Sequence, residues 1–65
     1  MRIQYDEETD TLTITFCNAR IRESDEVRPG TIVDFGHDGG VAGIEILSAS
    51  KYVEKTREIE FAVGE

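Results

Sequence analysis

The chain has one cysteine, one histidine, one proline, one methionine and no tryptophan in 65 residues. Cys17 has no partner for an internal disulfide, so no covalent link can supplement the thin core of so short a chain. His37 and Cys17 alone cannot close the four-ligand set of a structural zinc site. No uninterrupted apolar run approaches the length that a bilayer crossing needs. No charged and then apolar leader opens the sequence, and the expected compartment is the cytoplasm. Basic residues are also scarce, 7 against 14 acidic ones, for a net charge of −7. Arg2, Arg20, Arg22, Arg28, Lys51, Lys55 and Arg57 are scattered and make no basic groove. A phosphate backbone would be repelled, which disfavours nucleic acid as a partner.

What the chain does have is period-two patterning. Ile3 and Tyr5 alternate with Arg2 and Gln4, and Leu12, Ile14 and Phe16 alternate with threonines, so two strands joined by DEETD are expected to pair Tyr5 with Leu12 and Ile3 with Ile14. In Thr31 to Leu47, Asp38-Gly39 signals a two-residue hairpin loop. That loop pairs Phe35 with Ala42, Val33 with Ile44 and Thr31 with Ile46, and puts Asp34, Gly43 and Glu45 on the opposite face; a one-residue slip would drive Glu45 among the apolar side chains. Between the hairpins, Arg20 to Val27 reads as an irregular connection or short edge strand, and Pro29-Gly30 fits a type II turn. Ser48 is placed to cap a two-turn helix beginning at Ala49, with Ala49 and Val53 on one face. Ile59, Phe61 and Val63 then return to alternation as a final strand. The expected fold is α+β in a single domain, residues 1–65: a small antiparallel sheet built from two hairpins, one short helix and a C-terminal strand.

Few residues offer chemistry, and each has a plainer role. Asp6, Glu8 and Asp10 alternate like calcium ligands, yet Thr11 and Cys17 stand where an EF-hand loop needs glycine and a bidentate glutamate. Turn chemistry accounts for all three. Asp34, His37 and Asp38 could form a base or metal site near the hairpin tip, but no second histidine or paired cysteine completes it. Cys17 has no basic neighbour or helix start to lower its pKa, and is expected to be a small, partly buried residue. Ser48 and Ser50 lack a base at a recognisable spacing. Gly39, Gly40 and Gly43 lie inside a hairpin and not in a phosphate loop.

Three blocks, YDEETDTLTI, SDEVRPGTIVDF and GIEILSAS, together resemble the bacterial and archaeal family known as Domain of Unknown Function 2283. They run from Tyr5 to Ser50 in the family's order and spacing. Thr13 stands where the family often has an aromatic residue, and Gly40 where a charged one is common. The resemblance implies a small α+β domain without an established activity and carries over no catalytic residue. The tail after Lys51 lies outside it.

The function expected from these residues is a non-enzymatic interaction or oligomerisation module without a cofactor. It forms a homodimer or binds another protein, for which an acidic surface suits a basic partner. Ile59, Phe61 and Val63 are the candidate contact residues. The alternative is an enzymatic or metal-dependent activity centred on Asp34, His37 and Asp38. A folded state independent of metal should keep its melting temperature in EDTA; a fall of several degrees, reversed by one divalent ion, would favour that alternative.

Overall fold

The computed structural model describes residues 1–64. Five strands, β1 (Arg2–Asp6), β2 (Thr11–Thr15), β3 (Ile21–Arg28), β4 (Thr31–Gly36) and β5 (Val41–Ile46), form one antiparallel sheet in the order β1-β2-β5-β4-β3. The fold is therefore mostly β, and not the expected α+β. Every hairpin joins strands that neighbour one another in the sheet, and the crossing from β2 to β3 carries the chain to the opposite edge.

The register follows the apolar alternation. Tyr5 pairs with Leu12 and Ile3 with Ile14 in the first hairpin, while Thr31 pairs with Ile46 and Val33 with Ile44 in the second, all as expected. Ile14 also pairs with Ile44 and Val33 with Asp25, so the row Ile3, Ile14, Ile44, Val33, Asp25 crosses all five strands. A second row runs Tyr5, Leu12, Ile46, Thr31, Arg28 on the same face. The opposite face carries Gln4, Thr13, Glu45, Ile32 and Glu26, then Arg2, Thr15, Gly43, Asp34 and Ser24. Directly opposed side chains interact in such rows, so the alternation in each strand is converted into one apolar and one largely polar surface.

The tip of the second hairpin differs from the sequence expectation. Gly39 N donates to Gly36 O at 3.1 Å and Gly36 N to Gly40 O at 2.9 Å, which makes the loop three residues long, His37 to Gly39. Only Gly39 takes a positive φ, 85°. A two-residue loop would have demanded the same of Asp38, whose carboxylate instead accepts Gly40 N at 2.9 Å. The extra loop residue shifts the register by one, and a bulge restores it: Phe35 pairs with Val41, not Ala42, before Asp34 meets Gly43. The two departures cancel, which is why the inner pairs are those the alternation demands.

The connection between the hairpins is more regular than expected. β3 is the longest strand, eight residues, all exposed, and irregular in register near both ends. Gly30 takes φ 81° beside Pro29, as a type II turn requires, and its carbonyl accepts Leu47 N at 2.8 Å.

Two expected elements are absent among the described residues. The helix from Ser48 is reduced to one 3₁₀ turn, Ala49–Lys51, because Ser48 adopts the left-handed conformation at φ 52° and makes no side-chain cap. The N–H groups of Ala49 and Ser50 are bound by Asp10 of the first hairpin loop, so a tertiary contact replaces the cap. Residues 58–63 form no strand: a turn in which Glu58 N donates to Lys55 O, with Lys55 at φ 55°, redirects the chain at their start. Ile59, Phe61 and Val63 are 61%, 73% and 80% exposed. Alternation supplies the pattern of a strand, but the turn at Lys55 carries the segment off the sheet before it pairs with an edge.

Close packing of β2 on β5 depends on Gly43, where a Cβ would lie 2.8 Å from the Ile14 carbonyl oxygen. Backbone cannot yield as a flexible side chain does. Gly43→Ala should destabilise the sheet by about 1–3 kcal/mol in urea unfolding, and an unchanged midpoint would refute this role.

Candidate interaction surface

The apolar rows lack a second layer. Among the described residues only Ala42 and Ala49 are buried apolar ones, at 2% and 0% exposure, and no large side chain is fully buried. Leu12, Ile14, Val33, Phe35, Ile44 and Ile46 are half-buried, while Ile3 and Phe16 are exposed. A sheet face of this kind is ordinarily covered by another sheet or by helices. Here the molecule measures 34 × 33 × 18 Å, and the short 3₁₀ turn with the residues after it is all that follows the last strand.

That following segment is fixed at one end by Asp10. Its carboxylate accepts the Tyr5 hydroxyl at 2.6 Å, the Ser50 hydroxyl at 2.6 Å and Ser50 N at 3.0 Å, and its carbonyl accepts Ala49 N at 2.8 Å. Asp10 is itself left-handed, φ 53°, which aspartate tolerates better than most residues. The bonds from Ser50 and Tyr5 hold the Asp10 carboxyl below its ordinary value of 3.8. Tyr5 is raised from 10.0, first because its hydroxyl is committed to Asp10. Beyond the turn, Thr56 lies beside Tyr5, and Arg57 forms an ion pair with Glu7. The chain thus leaves its own sheet next to β1, with Ile59, Phe61 and Val63 still ahead of it.

The sites weighed from the sequence are not assembled. Asp34 lies on the polar face and accepts a 2.5 Å bond from the Ser24 hydroxyl of β3. Asp38 caps its own turn, and His37 is exposed in that loop; among the described residues no hydrogen bond or ion pair joins His37 to either carboxylate. Asp6 accepts Glu8 N at 3.0 Å while Asp10 turns toward Ser50, so the alternating acids of the first loop diverge. Among the described residues no group of three or more His, Cys, Asp or Glu is placed to hold a metal ion. Cys17 is exposed, contrary to the partly buried position expected, because the last bond of its strand, Phe16 N to Ala42 O at 2.8 Å, precedes it. No described helix is long and apolar enough to cross a membrane. Asp10 is the organising residue that sequence reasoning missed. Its one sequence signal was the turn-forming aspartate; its partners at positions 49 and 50 could not be read from spacing.

Because Asp10 is depressed in the folded state, its contribution to stability is present above about pH 4 and is lost as pH falls through the lower, folded value. Asp10→Asn should lower stability at neutral pH and flatten its dependence on pH in the acid range. A variant with the wild-type acid profile would show that the network is idle.

No curated protein and no solved structure matches the chain. A family model does match, over residues 2–50, a span that covers all five strands and both alanines of the small core but stops before the exposed apolar tail. The chain belongs to the family described as Protein of unknown function (DUF2283).

Proposed function

We propose that this protein is a self-association module without catalytic chemistry of its own, in which a second copy covers the apolar sheet face. The observation that carries the reading is the row Ile3, Ile14, Ile44, Val33, which crosses four strands on a face where, among the described residues, no large side chain is fully buried. Contiguous apolar patches beyond a few hundred Å² are uncommon on soluble monomers. The broad side of a molecule 34 by 33 Å has an area on the order of 10³ Å², larger than such a patch. A homodimer satisfies both copies at once, since a two-fold contact is reciprocal and each copy can lend the other the same cover.

The tail is the natural cover. Ile59, Phe61 and Val63 alternate with Glu58, Glu60 and Ala62, two of them acids that keep that side in water, they are exposed, and the chain delivers them from the β1 side of the sheet. Laid on a partner's face, they supply the second layer that the residues between Leu47 and Arg57 are too few to build. The enzymatic alternative at Asp34, His37 and Asp38 has no comparable support, because Asp34 and Asp38 are engaged separately and the exposed His37 is bonded to neither among the described residues.

Light scattering at micromolar concentration should give a mass of two chains. Phe61→Asp should raise the dissociation constant by at least tenfold, since withdrawing a buried Phe costs roughly 1.5–3 kcal/mol. A single-chain mass for the wild-type protein, unchanged on concentration, would defeat the proposal.

A further inference from the structure

The sheet has two open edges, and they are built differently. β3 carries Arg22, Glu23, Asp25, Glu26 and Arg28, and its register is irregular between Ile21 and Glu23 and between Glu26 and Arg28. Charges and bulges are the usual protection of an edge against pairing. A two-fold antiparallel pair that keeps the same face up must oppose residues of equal parity. Centring such a pair on Glu23, Ser24, Asp25 or Glu26 of β3 sets acid against acid each time.

β1 has no such protection. Its five residues pair with β2 in unbroken register, Arg2 with Thr15 through Asp6 with Thr11, and all but Tyr5 are exposed. Its sequence, Arg2-Ile3-Gln4-Tyr5-Asp6, is complementary to itself when reversed. We infer that β1 pairs with β1 of a second copy about a two-fold axis at Gln4, joining two five-stranded sheets into one of ten strands. This assignment rests on the self-association proposed above and names its seam.

Gln4 is the one centre that pairs all five residues. It sets Arg2 opposite Asp6 of the second copy twice, on the polar face, and Ile3 opposite Tyr5 twice, on the apolar face. Opposite charges and aromatic–aliphatic pairs directly across strands are both favourable. The axis runs through the sheet, so the two apolar faces stay on one side and become continuous. Each tail, leaving beside Glu7 and Tyr5, then starts next to the seam and within reach of the other copy's face. An edge strand completed in this way also satisfies the outward backbone groups of β1, which is the chemistry of strand addition.

The test is a charge exchange measured by sedimentation at fixed, low ionic strength. Arg2→Asp and Asp6→Arg, each alone, set like charges opposite one another twice and should raise the dimer dissociation constant roughly tenfold, while the double exchange should return it to within about twofold of wild type. A spin label at Gln4→Cys, in a chain with Cys17→Ser, should show strong dipolar broadening in the dimer. A wild-type dimer in which the single exchanges are silent and the labels are far apart would overturn the β1 seam while leaving self-association intact. A monomeric wild-type protein would overturn both.

Discussion

Everything in this molecule depends on one constraint: a single antiparallel sheet has two faces, and this one makes only one of them compatible with water. Alternation in β1, β2, β4 and β5 puts Ile3, Leu12, Ile14, Val33, Phe35, Ile44 and Ile46 on one side. Backbone pairing across five strands then fixes those side chains as a surface, whether or not anything lies over them. Burial at roughly 25 cal/mol per Å² is the main favourable term in folding, and a chain that leaves its largest apolar residues half exposed forgoes much of it. The proposed self-association makes good that shortfall.

Asp10 shows how such a chain organises what little second layer it has. One carboxylate gathers a tyrosine of β1 and the first residues after β5, tying positions 5, 10 and 50 together. That network costs the expected helix its start, because the N–H groups that a serine cap would have satisfied are already bound. In exchange Ala49 is driven into full burial. The polar clusters weighed as chemistry serve the same structural end: Asp38 closes a turn, Asp6 holds a loop, and Asp34 joins β3 to β4.

Most of the sheet was legible in the sequence because register is dictated by face. Val33 must oppose Ile44 or else a charge enters the apolar row, and the same logic fixed Ile3 against Ile14. The hairpin tip was less legible, since Asp38-Gly39 serves a three-residue loop as well as a two-residue one; the bulge at Val41 and Ala42 concealed the difference from the inner register. β3 was hard to recognise for an opposite reason: an exposed edge strand has no apolar side to alternate. The helix and the final strand were read from local pattern alone, and both failed where the surroundings decide, the Asp10 contact in one case and the turn at Lys55, which carries the tail off the sheet, in the other. Membership of the family was legible from three short blocks, all of them in or beside the hairpins.

If the apolar face is completed only by a second copy, folding and association are one equilibrium, and stability must follow protein concentration by mass action. Thermal unfolding across a hundredfold range of concentration measures this most directly. The expected result is a melting temperature that rises steadily with concentration. A melting temperature that is the same throughout, with a reversible single transition, would mean that one chain is stable with its apolar face open to water, and would contradict the dimer.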